Sequence, residues 1–138
     1  MTTADMVMSI LDGMGGQIYG KTMLQKIFFT LSREFPEAHE LDNLNYVKYY
    51  YGPFSRKLEE ITEDCQLRGL LKIVPTPVHD VVRYDIVITP AGKAHAKQHG
   101  PADNDIRSLV DKMSVRARQL NSMDLSEVIN VAYSLLTP

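Results

Sequence analysis

The chain has 138 residues and a formal net charge of −2, a length that fits one ordinary domain. Apolar residues make up 44% and charged residues 23%, which is typical of globular chains rather than of disordered or membrane chains. The near-neutral charge does not by itself predict a nucleic-acid partner, so any such surface would have to be a local patch.

The sequence also bears on compartment and cofactors. No apolar run approaches the roughly 20 residues that a membrane-spanning helix needs, and the first residues lack the basic start of a signal peptide. Cys65 is the only cysteine, so the chain cannot form an intramolecular disulfide or a cysteine zinc cluster. We therefore expect a cytoplasmic protein without a membrane partner, a metal or another cofactor.

The first third of the chain is predicted to be helical. Apolar residues at helical spacing indicate a helix over 3–12, capped by Thr2 or Thr3, and a second helix over 21–34 with a wide buried stripe. Pro36 ends this pattern. The segment 44–51 is rich in strand formers.

The middle of the chain predicts a third helix and a hairpin. Pro53 suits the first turn of a helix, which we expect to run from there to a stop at Gly69. Two β-rich runs follow, at 70–74 and 81–88. The PTPVHD segment between them predicts a loop longer and looser than a two-residue turn.

The last third returns to helices. Thr89 and Pro90 predict the start of a helix that ends near 98. A linker follows, and two amphipathic helices are predicted over 106–120 and 125–136. The order of elements predicts an α+β, mainly α fold: a winged helix-turn-helix domain over 1–99 with a small antiparallel wing sheet, and a helical C-terminal extension over 100–138.

Several motifs resemble known families. GKTMLQKIFFTL at 20–31, YYYGPFSRKLEEI at 49–61 and GLL at 69–71 are similar to Panacea-type antitoxin domains and their relatives, and YDIVITPAGKAHA at 84–96 resembles the end of the wing in MarR- and PadR-type regulators. The similarity covers about 18–97 and implies a winged helix. Those relatives include DNA-binding repressors and protein-binding antitoxins, so the resemblance does not decide between these activities.

The leading hypothesis is a transcriptional regulator that binds double-stranded DNA as a homodimer. In a winged helix, the first turn of the third helix and the wing are placed to meet DNA. The DNA-binding candidates are Lys48, Ser55, Arg56, Lys57, His79 and Arg83. An apolar seam on the last two helices would join the two copies, through Ile106, Leu109, Val110, Met113, Leu120 and Tyr133.

The alternative hypothesis is a protein-binding winged-helix module, an antitoxin or an adaptor, that does not bind DNA. The third helix carries Glu59, Glu60, Glu63 and Asp64, and phosphate groups repel such a face. The aromatic residues before this helix also bear on the alternative. In one interpretation Tyr50 and Phe54 pack in the core and the other aromatic residues cover it. In the other, Tyr49 or Tyr51 lies beside a ligand groove or a partner surface.

No catalytic set emerges, so we do not expect an enzyme. GGQIYGKT at 15–22 matches a phosphate-binding P-loop pattern, but the preceding segment is helical and the strands are hairpin-like, so we interpret Gly20 as the start of the second helix with Lys21 solvated. His95 and His99 could pair on a metal, but a solvated helix end is the favoured interpretation. Cys65 is expected to be buried and inert.

Overall fold

A computed structural model describes residues 1–50 and 52–136 of the chain. The described residues form six α-helices, one 3-10 helix and five strands, which confirms a mainly helical α+β fold with small antiparallel sheets. In chain order these are α1 Thr3–Gly13, β1 Gln17–Ile18, α2 Lys21–Glu34, the 3-10 helix His39–Leu44, β2 Val47–Tyr49, β3 Gly52–Phe54, α3 Arg56–Leu67, β4 Leu71–Val78, β5 Val81–Ile88, α4 Pro90–Gln98, α5 Asn104–Asn121 and α6 Leu125–Ser134.

The core lies where the C-terminal helices cover the N-terminal ones. α1 packs against α4 and α5, and α2 packs against α5 and α6. The first helix starts with a capping box, in which the Thr2 hydroxyl accepts from the Asp5 N–H and the Asp5 carboxylate accepts from the Thr2 N–H. Apolar stripes of both early helices are fully buried, including Met6, Ile10 and Phe28, so most hydrophobic stabilisation comes from this helical layer.

The larger sheet contains three antiparallel strands in the order β1-β5-β4. β4 and β5 pair along their whole length, and the turn between them consists only of His79 and Asp80. The expected long loop is therefore wrong. His79 takes a left-handed conformation with φ of 56°, as a two-residue hairpin turn requires, and Pro75 and Pro77 are tolerated within β4 because it is an edge strand.

The third helix begins later than expected. Pro53 is a strand residue that pairs with Lys48 across the β2–β3 hairpin, and Ser55 is the N-cap of α3. The predicted start at Pro53 is thus wrong by three residues. At the other end of α3, Leu67 is 88% exposed.

The GGQIYGKT segment lacks the setting of a P-loop. β1 lies inside it and pairs antiparallel with β5, and the element before it is the helix α1. Gly20, with φ of 109°, is the N-cap of α2, and Lys21 is exposed on its first turn. The interpretation of Gly20 as a helix start is confirmed.

Candidate binding surface

Two hydrogen-bonded contacts fix the start of α3 against α2. The Ser55 N–H donates to Gln25 Oε1 at 2.8 Å, and Gln25 Nε2 donates to the Ser55 carbonyl at 2.9 Å. One residue along, Lys26 Nζ donates to the Pro53 carbonyl at 2.8 Å. The side chains of Gln25 and Lys26 are both buried, so these bonds lie in a region of low dielectric, where each is stronger than in water.

Beyond these bonds, a partly open cavity of about 220 Å³ lies between α2 and α3. We call it the α2–α3 cavity. The atoms that face it are mainly carbon, although many of them belong to polar residues. The β2–β3 hairpin and β4 form its sides. The lining residues are Lys21, Thr22, Leu24, Gln25, Lys26, Tyr49, Phe54, Glu59, Thr62, Glu63, Gln66 and Ile73.

Lys26 is the least expected residue of this cavity. Only 3% of it is exposed, and burial lowers the pKa of its ammonium group from 10.5 to about 8, because a low dielectric disfavours the charged form. Within the described ranges, Nζ has a single hydrogen-bond acceptor, the Pro53 carbonyl, and no carboxylate within 4.0 Å. An ammonium group has three N–H donors, so two remain without an acceptor among these residues.

The remaining charges of the cavity are divided between its two walls. Lys21 comes from α2, and its Nζ lies 5.6 Å from the centre of the Tyr84 ring. Glu59 and Glu63 come from α3. The ion pairs found among residues 1–50 and 52–136 include none of these three side chains. The cavity therefore has a cationic wall and an acidic wall that do not neutralise each other by contact.

Two of the predicted DNA-binding residues have structural roles instead. Ser55 is fully buried, and its hydroxyl donates to the Leu44 carbonyl and accepts from the Leu58 N–H. It is therefore not available to DNA, and the prediction that Ser55 contacts DNA is wrong. Arg83 is paired with the buried Asp85, with Nε to Oδ1 at 2.6 Å and Nη2 to Oδ2 at 3.0 Å, so its guanidinium is already engaged.

The other four candidates lie on the surface. Lys48, Arg56, Lys57 and His79 are all exposed, on β2, on the first turn of α3 and at the hairpin tip. Over its whole length, however, α3 has two basic and four acidic residues, which gives the helix a net charge of −2. Only its first turn thus has the positive charge that phosphate binding requires.

Several apolar side chains are exposed shortly before α3 in the chain and beside the turn of the β4–β5 hairpin. Tyr50 is 85% exposed and Tyr49 is 55% exposed, so the expected core position of Tyr50 is wrong and the expected surface position of Tyr49 is confirmed. Tyr51 lies outside the described residues. Val81 and Val82, at the start of β5, are also more than half exposed. Exposed aromatic and aliphatic groups beside a charged face are typical of protein-binding surfaces.

The predicted dimer seam is largely used inside the chain. Val110, Met113 and Leu120 are buried in the core on α5, which packs on α1 and α2. Ile106 and Leu109 are partly buried against the same core, and Tyr133 on α6 is exposed. The first three residues therefore cap this chain's own core, so they offer no apolar surface to a second copy.

The histidine pair and the cysteine have local roles. His95 Nε2 lies 3.4 Å from the Asp5 carboxylate, and its ring packs against His99 at 4.3 Å between centres, so His95 is not a solvated side chain. Cys65 is buried as expected, and burial raises the pKa of its thiol.

Within the described ranges, no group of three or more histidine, cysteine or acidic residues could hold a metal ion. No helix in these ranges is both long and apolar enough to cross a bilayer.

Comparison with known proteins adds no relative. No family model, curated protein or solved structure matches the chain. The resemblance to Panacea-type domains and to MarR- and PadR-type regulators therefore stays a prediction from motifs. What the structure adds is that two of those motifs touch each other, because Gln25 and Lys26 of Leu-Gln-Lys hold Pro53 and Ser55 of Gly-Pro-Phe-Ser.

Sequence reasoning missed the α2–α3 cavity. Gln25 and Lys26 are polar residues beside the apolar stripe of α2, and such residues are usually solvated. The available signal was their position in the Leu-Gln-Lys motif. Nothing in the helical pattern shows that the hairpin would fold over them.

Proposed function

We propose that this chain is a winged-helix module that binds a protein partner through the outer face of α3 and the β2–β3 hairpin. In this proposal the chain has no catalytic activity. The order of helix, short strand, two helices and a hairpin whose second strand pairs with the short strand supports the winged-helix assignment. α3 then occupies the position of the recognition helix, and the β4–β5 hairpin that of the wing.

The observation that carries the proposal is the acidic surface of α3 beside exposed apolar residues. Glu60 and Asp64 are exposed on this helix. Leu67 is exposed at its end, and Tyr50 is exposed a few residues before its start. DNA presents a dense row of phosphates that this face repels. A basic protein segment with apolar side chains complements both features, because charge guides the encounter and apolar contacts stabilise the complex.

One observation favours the second candidate function, a DNA-binding regulator that acts as a homodimer. Arg56 and Lys57 are exposed at the start of α3, where a recognition helix meets phosphate or a base edge. Double-stranded DNA would then be the partner, and dimerisation would supply the additional phosphate contacts that one small domain lacks.

Fluorescence anisotropy with random duplex DNA at low salt separates the two functions. The protein-binding proposal expects no measurable binding under these conditions, where nonspecific phosphate attraction is strongest. DNA affinity that is lost in Arg56→Ala/Lys57→Ala and kept in Lys93→Ala/Lys97→Ala would overturn it. The second pair removes the same charge from exposed positions on α4.

A photo-crosslinking residue at position 50 tests the partner surface in cells. We expect one cross-linked protein whose capture is lost in Glu60→Lys/Asp64→Lys and retained in Lys93→Glu/Lys97→Glu. The purified partner should then bind the unmodified chain and fail to bind the first variant. Capture that is indifferent to both pairs of charge reversals would contradict the proposal.

A further inference from the structure

We infer that the α2–α3 cavity binds a small zwitterion with an apolar body, in the class of the aliphatic and aromatic amino acids. The inference concerns a site between the helices, and it does not depend on what the outer face of α3 binds. Three features carry it: the size and apolar lining of the cavity, the buried ammonium of Lys26 with no carboxylate within 4.0 Å among the described residues, and the acidic wall opposite the basic one.

The cavity has the dimensions of a small ligand site. Its 220 Å³ lie below the roughly 300–1,000 Å³ of sites for drug-sized molecules. Leu24, Phe54 and Ile73 provide apolar walls, and Tyr49 lies at one side. A single branched or aromatic side chain would find apolar contacts there.

Lys26 defines the anionic end of the ligand. Its Nζ donates one hydrogen bond, to Pro53, and has no carboxylate within 4.0 Å among the described residues. A buried ammonium group is costly unless an opposite charge pairs with it. A carboxylate in the cavity would supply hydrogen-bond acceptors and the opposite charge.

Glu59 and Glu63 define the cationic end. Both line the cavity from α3, opposite the lysines of α2, and neither belongs to an ion pair found in the described ranges. A simple carboxylic acid would be repelled by this wall, and a simple amine would be repelled by the lysines. A molecule that has both an ammonium and a carboxylate group satisfies both walls, since two lysines and two glutamates leave the cavity without net charge.

Isothermal titration calorimetry of the full chain tests this inference with L-phenylalanine and L-leucine. The matched probes are 3-phenylpropionate, which lacks the ammonium group, and phenethylamine, which lacks the carboxylate. We expect the amino acids to bind and each probe to bind roughly 10- to 100-fold more weakly than L-phenylalanine, the factor expected for losing hydrogen bonds to a charged group. Absence of binding by both amino acids at millimolar concentration, or equal affinity for a probe, would overturn the inference.

Two variants assign the ends of the ligand. Lys26→Met keeps most of the buried side chain, and it should abolish the preference for L-phenylalanine over phenethylamine. Should Lys26→Met not fold, Glu59→Gln/Glu63→Gln keeps the inference falsifiable, because Glu59 is partly exposed and Glu63 is exposed. This variant should abolish the preference over 3-phenylpropionate. Glu60→Gln, exposed on the same helix and outside the cavity lining, is the control. Unchanged preferences in the cavity variants would overturn the inference.

Discussion

Gln25 and Ser55 form a reciprocal pair, in which the side-chain amide of Gln25 serves both backbone groups of Ser55 at 2.8 and 2.9 Å. The contact spans 30 residues of sequence and joins the middle of one helix to the N-cap of another. Because all four atoms are buried, water cannot replace either bond. The pair therefore fixes where α3 begins, and with it the outline of the α2–α3 cavity.

Replacing Gln25 with alanine should strongly destabilise the fold. The Ser55 N–H and carbonyl would lose their partners in a buried position, at a cost of roughly 1–3 kcal/mol for each group. Urea denaturation of Gln25→Ala should show a lower midpoint than that of the parent chain. The matched control is Gln66→Ala, which removes an exposed glutamine on α3 and should change the free energy of unfolding by less than about 0.5 kcal/mol. Equal midpoints for Gln25→Ala and Gln66→Ala would contradict the proposed role of the pair.

Gly92 should not tolerate a methyl group. A Cβ at this position would lie 1.9 Å from the Leu70 carbonyl oxygen, which also accepts the Thr89 N–H at 3.1 Å. The clash is with backbone, so Gly92→Ala has to move α4 away from the start of β4, at a cost of about 3 kcal/mol. Thermal denaturation should show the loss, whereas Lys93→Ala at the adjacent exposed position should leave the melting temperature nearly unchanged. A Gly92→Ala protein as stable as its parent would show that α4 docks elsewhere.

Helix α2 shows how far the pattern of residues predicts the fold. Its bounds follow from the sequence, because a wide apolar stripe lies between two helix-breaking residues and a single helix over that range buries the whole stripe. The start of α3 does not, because a proline suits both the first turn of a helix and an edge strand. At Pro53 the pairing with Lys48 across the hairpin decides for the strand. The spacing of apolar residues along the segment does not show this pairing.

The candidate site is less predictable than the fold. The sequence places Ser55 at the first turn of the expected recognition helix, where it could meet DNA. The same residue type is a preferred N-cap, and the burial of Ser55 decides for that role. Arg83 and Asp85 did carry a readable signal. Residues two apart in a strand point to the same side, so their pairing could have been inferred. The sequence around Lys26 does not predict its burial, because the β2–β3 hairpin covers this residue only in the folded chain.

Lys26 should make the chain more stable as the pH rises above about 8. Its pKa is lowered from 10.5 to about 8 in the fold, so between these values the unfolded chain holds a proton that the folded chain has released. Stability therefore rises with pH through this window, by up to about 3 kcal/mol in the absence of other titrations. Cys65 and Tyr46 oppose this trend, since burial raises the pKa of each.

The comparison with Lys26→Met isolates this effect, because the opposing titrations are common to both proteins. The free energy of unfolding of Lys26→Met minus that of the parent should decrease as the pH is raised from 7 toward 10, because only the parent gains stability from Lys26. Urea denaturation at each pH measures both values. A control variant, Lys93→Met, should show a constant difference over the same range. A constant difference for Lys26→Met as well would mean that this ammonium group is solvated.

Arg83 should stabilise the hairpin rather than bind phosphate. Its guanidinium makes two bonds to Asp85, and Thr76 Oγ1 donates to the same carboxylate at 2.9 Å. Arg83→Ala leaves the buried carboxylate without its cation, and we expect a loss of about 2 kcal/mol, less than for a fully enclosed pair because Arg83 is partly open to solvent. Adding Asp85→Asn to Arg83→Ala should recover part of the loss, since the amide is neutral.

Acid titration gives an independent check on the same pair. The hydrogen bonds from Arg83 lower the pKa of Asp85 below its ordinary value of 3.8, so the stabilisation is fully present above that value and is lost as the pH falls through the lowered pKa. The stability difference between the parent and Arg83→Ala should therefore be largest near neutral pH and decrease below about pH 4. A difference that is unchanged in acid, or an Arg83→Ala chain as stable as its parent with reduced affinity for DNA, would return Arg83 to the set of nucleic-acid contacts.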